Sequence, residues 1–216
     1  VGMKVGEAPE DENTSPEAIR IQLRRSLVRM RTDYVDVYYL HRYDPDTEPH
    51  AVARAMGEEL RAGTIRAWGV SNYTAAQLAA LLAAAADEGV PAPALCQPAL
   101  SMLNTGALEE LLPLCEKEGV GVVPYQLLQG GMLTGKYRRG QEAPAGSRLA
   151  EKPEWMKPFT DETYDVIERC AAEAAAEGVT MTQHALRWAL AQPGVVSALV
   201  GVKHEEQIDE AAGAVR

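Results

Sequence analysis

Polar and ionisable residues stand at the ends of six short apolar runs in this sequence. They are Lys4, His41, Ser71–Asn72, Gln97, Tyr125 and the pair Lys203–His204. Lysine, histidine and tyrosine can hold or exchange protons, and amide and hydroxyl groups can orient a polar ligand. The pair Lys203–His204 opens an expected helix, whose free N–H groups favour a phosphate. Because such residues recur after successive strands, they predict one ligand site rather than an isolated motif.

Each of these residues also has a purely structural interpretation. Lys4 could be a solvated surface residue, and His41 could be hydrogen-bonded at a strand end. Ser71–Asn72 could turn the chain into the next helix, and Tyr125 could be a buried anchor with a paired hydroxyl. Glu205–Glu206 already complement the dipole of the last helix, which weakens the case for an anion there. Only the recurrence of polar residues at strand ends favours the ligand site.

The elements that must position these residues alternate between apolar runs and amphipathic helices. The runs predicted as strands are Val1–Val5, Tyr34–Leu40, Ile65–Val70, Ala94–Gln97, Val120–Tyr125 and Val195–Val200. Helices are predicted at Pro16–Met30, near Glu48–Ala62, after Thr74, near Ala107–Glu118, at Asp161–Glu177, at Thr182–Ala191 and from about His204, with a long loop over Gln126–Thr160. This alternation is typical of a parallel sheet with right-handed crossovers. Periodicity alone fits both a barrel and a doubly wound sheet, but no Gly-x-Gly-x-x-Gly follows a strand, which argues against the latter.

Local signals mark several helix ends. Ser15 is a predicted N-cap followed by proline, and Thr74 with Gln77 is a predicted capping box. Gly63 and Gly119 stand where helices should end.

Composition narrows the classes of partner. The chain has 216 residues and a formal net charge of −10, which disfavours binding to nucleic acid or anionic lipid. No apolar run is long enough to span a bilayer, and no secretory signal is evident. Cys96, Cys115 and Cys170 are far apart and have no metal-ligand spacing. We therefore expect reduced core thiols, no metal site and a cytoplasmic protein.

Five segments carry a resemblance to a known family. They are Tyr34–Arg42 followed by Asp44-Pro45, Gly63–Tyr73, Gly130–Tyr137, Ala185–Trp188, and Gly201 through Gln207 to Glu210. In this order they resemble the aldo/keto reductases, near the subfamilies of bacterial aldehyde reductases and potassium-channel β subunits. The resemblance implies an α/β fold, a (β/α)8 TIM barrel whose third to eighth strands are represented here. It also implies one barrel domain over residues 1–216, expected to lack the first two βα units and to be incomplete at its C-terminus.

The resemblance further implies roles for individual residues. His41 matches the family histidine that orients the carbonyl, and Lys4 matches the lysine that lowers the pKa of the proton-donating tyrosine. The family's tyrosine and aspartate precede that lysine, and no tyrosine of this chain matches. The residues implied to bind NADP(H) are Ser71, Asn72 and Gln97 at the nicotinamide carboxamide, Tyr125 on the ring, Gln126, Leu128 and Gly130 along the pyrophosphate, and Gly201, Lys203, His204, Gln207 and Glu210 around the adenosine 2′-phosphate and adenine.

Three departures from the family pattern bear on the cofactor. Gln126 replaces a serine, Ala211 replaces an adenine-contacting asparagine, and Lys203-His204 replaces a Ser-Arg pair. Lysine meets a phosphate as a point charge without the fork of arginine. We therefore expect NADPH as cofactor, with a weakened preference over NADH.

Three functions compete. The first is reduction of aldehydes or ketones by hydride transfer from NADPH, with a small, apolar or aromatic carbonyl compound as partner. The second is a non-catalytic, NADP(H)-binding regulatory subunit. The third is a phosphate-handling isomerase or lyase on the same barrel, supported only by the basic pair at the last helix.

Overall fold

The computed structural model describes residues 2–5 as strand backbone, together with residues 13–156 and 158–215. The chain divides into two compact units. Unit 1 comprises Val1–Pro98 and Glu110–Val122, and unit 2 comprises Ala99–Glu109 and Val123–Arg216.

A five-stranded parallel sheet forms the centre of unit 1. Its strands are β1 (Gly2–Val5), β2 (Val35–Leu40), β3 (Ile65–Ser71), β4 (Leu95–Gln97) and β5 (Gly121–Val122), in that spatial order. The register places Val5 opposite Leu40, Leu40 opposite Val70, and Ser71 opposite Gln97. Sequential parallel order has no point at which the winding reverses, unlike a doubly wound sheet. The α/β fold with a parallel sheet is thus confirmed, and closure into an eight-stranded barrel stays a prediction.

Four helices connect these strands. They are α1 (Pro16–Met30), α2 (Pro49–Ala62), α3 (Ala75–Asp87) and α4 (Leu111–Glu118). The predicted caps are confirmed: Ser15 Oγ accepts the Ala18 N–H at 3.3 Å, and Thr74 and Gln77 exchange bonds of 3.2 and 2.9 Å. Gly63 and Gly119 end α2 and α4 with left-handed φ angles of 72° and 69°.

The core of unit 1 joins the inner sides of these helices to the sheet. Its largest fully buried side chains are Ile19, Leu23, Tyr38, Leu40, Met56, Ile65, Trp68, Leu78 and Leu112. Cys96 and Cys115 are buried free thiols, as expected. Burial on both faces of β3 explains why its sequence is a nearly continuous apolar run.

Unit 2 is built mainly from helices. They are α5 (Arg148–Glu151), α6 (Asp161–Glu177), α7 (Met181–Leu190) and α8 (Glu205–Ala212), with 3-10 turns at Gly106–Leu108, Gln129–Thr134, Pro153–Trp155 and Gly213–Val215. One apolar cluster gathers Leu133, Ile167, Cys170 and Ala185, and a second gathers Leu127, Leu186 and Ala189. The predicted loop over 126–160 therefore contains short helical turns that pack against α6 and α7.

The sixth predicted strand, Val195–Val200, is wrong. These residues belong to no strand in the structure, although Leu199 donates one backbone bond to the Pro124 carbonyl at 3.0 Å. A strand needs a series of such bonds to an adjacent strand, and the composition of a segment does not show whether an adjacent strand is present. Within the described ranges, no helix has the length and apolar character needed to cross a bilayer.

Candidate functional site

Four of the predicted residues meet at the carboxyl ends of β2, β3 and β4. This strand-end cluster consists of His41, Ser71, Asn72 and Gln97. Ser71 Oγ donates to the Gln97 carbonyl at 2.9 Å, and Asn72 Nδ2 donates to the His41 carbonyl at 2.9 Å. Parallel strands bring their ends to one edge, so residues far apart in sequence become neighbours here. Lys4 lies in β1 opposite Tyr39, and its side chain lies outside the described residues.

The cluster carries two features typical of a ligand site. Asn72 adopts a left-handed φ of 59°, a conformation that non-glycine residues rarely adopt and that concentrates at functional sites. The side chain of Gln97 is buried, and its Oε1 has no hydrogen-bond partner. A buried orphan acceptor costs about 1–3 kcal/mol. A ligand N–H group, such as that of a carboxamide, would satisfy it.

Tyr39 supports the cluster from within the sheet, a role that sequence reasoning missed because it depends on burial in the folded chain. Its buried ring lies against Gly69 on β3: a Cβ at Gly69 would fall 2.8 Å from the ring and 2.6 Å from the Leu95 carbonyl oxygen. Burial and the nearby Cys96 raise the pKa of the Tyr39 phenol, and its hydrogen bond with the Gln97 side chain opposes that shift. The phenol therefore stays protonated and holds Gln97.

Unit 2 contains a cleft of about 720 Å³, within the range typical of small-molecule sites. All nine cofactor residues predicted in this unit line it: Tyr125, Gln126, Leu128, Gly130, Gly201, Lys203, His204, Gln207 and Glu210. The structure therefore brings together residues from two separate segments, 125–130 and 201–210, and their role toward a cofactor stays a prediction.

Two cations that sequence reasoning did not assign to the site also line this cleft. They are Lys136 and Arg148. The glycines of the preceding turn make room for both: a Cβ at Gly131 would fall 2.5 Å from Lys136 Nζ, and one at Gly130 would fall 3.3 Å from Arg148 Cδ. In a chain of net charge −10, this concentration of positive charge favours an anionic ligand. Lys136 lies in the Gly130–Tyr137 segment that resembles the family, and this resemblance was the sequence signal that could have identified it.

The start of α8 forms another part of the cleft. Gln207 Oε1 accepts the backbone N–H of Lys203 at 2.7 Å and of His204 at 3.3 Å, so it caps the helix as well as lining the cleft. Lys203 Nζ lies 3.7 Å from Glu151 Oε2, and both side chains are more than half exposed. Exposed pairs of this kind contribute little and exchange readily. Lys203 can therefore turn to a phosphate.

The described part of the chain contains no group of three or more His, Cys, Asp or Glu side chains arranged to hold a metal ion.

The sequence model of the aldo/keto reductase family matches residues 1–216. The chain is 34% identical over 209 residues to a probable voltage-gated potassium channel subunit beta from Oryza sativa subsp. japonica, covering 95% of this chain and 63% of that protein. It is 33% identical over 215 residues to the NADH-specific methylglyoxal reductase of Escherichia coli K12, covering 98% of this chain and 64% of that protein.

A third relative is the L-glyceraldehyde 3-phosphate reductase of the same bacterium, 28% identical over 215 residues, covering 97% of this chain and 61% of that protein. The chain thus spans less than two thirds of the length of each of these relatives.

Proposed function

The chain belongs to the aldo/keto reductase family, and on that premise we propose that the intact protein reduces small aldehydes or ketones to alcohols with a nicotinamide dinucleotide. The observation that carries the proposal is the cleft of unit 2, where nine residues implied by the family pattern line one surface with Lys136 and Arg148. Reductases among the relatives support the same chemistry.

The residues present fit such a cofactor. Lys136 and Arg148 supply positive charge for a pyrophosphate, with Arg148 able to form two parallel bonds. A Cβ at Gly131 would meet Lys136 Nζ, so the glycine lets this cation lie close to the backbone of the cleft. The orphan Oε1 of Gln97 suits the N–H of a carboxamide.

In this proposal, the strand-end cluster and the cleft have separate tasks. The reduced nicotinamide supplies the hydride when it is bound. Asn72 and Gln97, in unit 1, are the candidates for holding a carboxamide and so fixing which face of its ring reacts. Tyr125, in unit 2, is the candidate for stacking on a flat cofactor ring. His41 would donate a hydrogen bond to the carbonyl oxygen of the substrate and orient it. The family's proton-donating tyrosine matches no residue of this chain, so none of these residues is given that step.

We propose NADPH as the preferred form of the cofactor. Lys203 and His204 in the cleft are the candidates for binding the 2′-phosphate. The Glu151 carboxylate beside Lys203 opposes this preference, and the name of the E. coli methylglyoxal reductase specifies NADH. A modest preference for NADPH is therefore expected, rather than exclusion of NADH.

A second candidate function is a regulatory subunit that binds NADP(H) without turnover. The potassium channel subunit beta relatives favour it, as do the changes at Gln126 and Ala211. Both functions require the cofactor cleft, so cofactor binding does not distinguish them.

Turnover distinguishes them. The intact protein is titrated with NADPH and NADH by fluorescence, and oxidation of each is then followed with methylglyoxal and aromatic aldehydes. Saturable binding with substrate-dependent oxidation supports the reductase. Binding without oxidation across the panel supports the regulatory subunit, and absence of binding contradicts both.

A further inference from the structure

Two buried polar atoms without partners lie in the lining of the unit 2 cleft. The described residues contain four such side-chain atoms: Gln97 Oε1, Gln129 Nε2, Thr182 Oγ1 and His184 Nδ1. His184 Nδ1 lies 3.0 Å from the Glu177 carboxylate, and this contact accounts for its burial. Gln97 belongs to the strand-end cluster. The other two, on Gln129 and Thr182, both lie in the lining of the cleft.

These two side chains are deeply buried. Gln129 is 9% exposed and Thr182 is 4% exposed. They come from different elements, Gln129 from the turn after Tyr125 and Thr182 from the first turn of α7. Two unrelated elements therefore each place an unsatisfied polar group at one cleft. Native proteins leave few such groups, and each calls for a specific reason.

The backbone at Gln129 adds an independent sign of function. Its φ is 44°, a left-handed conformation that costs a residue with a side chain about 1 kcal/mol or more. The bond from the Gln129 N–H to the Gln126 carbonyl, at 2.9 Å, holds this turn. The fold thus maintains a strained backbone that carries an orphan amide, a combination that clusters at ligand sites.

We propose that Gln129 Nε2 and Thr182 Oγ1 form a neutral hydrogen-bonding subsite that donates to phosphate oxygens of the ligand bound in this cleft. The inference rests on the proposed function, since it assumes that the cleft holds the pyrophosphate of a dinucleotide. An amide Nε2 can only donate, and a threonine hydroxyl can donate, so both need acceptor oxygens.

The positive charge in the cleft indicates that those acceptors are phosphate oxygens. Lys136 and Arg148 line it with Gln129 and Thr182, and a phosphate oxygen bound by a cation still has lone pairs for neutral donors. The orphan atoms are covered by the cleft wall when the cleft is empty of ligand. The proposal therefore requires the Gln129 side chain to change rotamer and the Thr182 side chain to turn toward the cleft when the phosphate binds.

Two nearly isosteric variants of the intact protein test the subsite: Gln129→Met and Thr182→Val. Each removes a hydrogen-bonding atom while keeping most of the volume. Because the atom is unsatisfied in the ligand-free protein, its removal should leave Tm unchanged or raise it. Each variant should bind NADPH about 10-fold to 100-fold more weakly, as expected for a lost hydrogen bond to a charged group.

Gln192→Met is the matched control, since Gln192 Nε2 donates to the Trp188 carbonyl at 2.8 Å and Gln192 is not in the cleft lining. This control should lower Tm and leave NADPH affinity unchanged. A purely structural role for Gln129 and Thr182 would reproduce the control pattern, and that result overturns the proposal.

Inorganic pyrophosphate serves as a second probe. Each variant should weaken its binding by the same factor as NADPH binding. Loss of NADPH affinity with unchanged pyrophosphate affinity would overturn the assignment to phosphate. If the wild-type protein binds pyrophosphate but not NADPH, the proposed function fails, and the comparison of variants with pyrophosphate still decides whether the subsite exists.

Discussion

Replacing Gly69 with alanine should disrupt the sheet directly beneath the strand-end cluster. Gly69 lies on β3, opposite Tyr39 on β2 and Leu95 on β4. An added Cβ would fall 2.6 Å from the Leu95 carbonyl oxygen and 2.8 Å from the Tyr39 ring, where ordinary contact begins at 3.4 Å. A backbone oxygen in a ladder cannot move aside as the end of a flexible side chain can. The neighbouring strands must therefore shift.

The expected cost follows from the cost of overpacking. Inserting a methyl group into a well-packed core costs about 1–3 kcal/mol, and close contact on two sides favours a value of about 3 kcal/mol. With a urea m-value of about 2 kcal/mol/M, the unfolding midpoint should fall by about 1.5 M. Because the Ser71–Gln97 bond lies two residues beyond, NADPH affinity should also fall.

Urea unfolding followed by circular dichroism measures the first effect. Gly106→Ala is the matched control, because no atom lies within 4 Å of its added Cβ and its φ is not left-handed. The control should leave stability unchanged or raise it by up to about 1 kcal/mol. Equal midpoints for Gly69→Ala and the wild type would refute the packing argument.

Three further variants test other parts of the account. His41→Ala should lower kcat by about 10²-fold or more while leaving the NADPH Kd nearly unchanged; steady-state kinetics and titration check this, and equal losses in both would reject the assigned role. Tyr125→Ala should do the reverse and raise the NADPH Kd first, by about 10-fold, as stacking is lost; an unchanged Kd by fluorescence titration would contradict it. Asp44→Asn should make the free energy of unfolding depend less on pH in the acid range. Burial raises the pKa of the Asp44 carboxyl, but bonds from Thr14 N–H, Thr47 Oγ1 and Asp46 N–H outweigh it, and the net pKa is lowered. The ionised Asp44 carboxylate thus stabilises the fold above the unfolded pKa of about 4, and this stabilisation is lost as the pH falls through the lowered pKa of the folded state. The free energy of unfolding is measured for both proteins from pH 7 to pH 2, and the same pH dependence for wild type and variant would refute this.

Local signals predicted the helices of this fold well. The caps at Ser15, Thr74 and Gly63 depend on residues within one turn, so the sequence contains all that determines them. Strands were less predictable because a segment forms a strand only when it is hydrogen-bonded to a neighbouring strand. Val195–Val200 has the composition of a strand and yet forms none in the structure.

The candidate site divides in the same way. His41, Gln97 and Tyr125 could be named because each stands at the end of an apolar run and matches a functional residue of the family. Tyr39, Gln129 and Thr182 could not, because their roles depend on burial and on missing partners, which are properties of the folded chain. Arg148 lies in the long predicted loop, and only the structure shows that it lines the cleft.

The most direct test of the central claim is transfer of deuterium in a single turnover. The intact protein is mixed with NADPH deuterated at both C4 positions and with methylglyoxal or an aromatic aldehyde, and the product is analysed by mass spectrometry and NMR. Hydride transfer from C4 should give an alcohol carrying one deuterium on the former carbonyl carbon. Saturable NADPH binding with no deuterium in any product would contradict it and would favour a regulatory role for this chain.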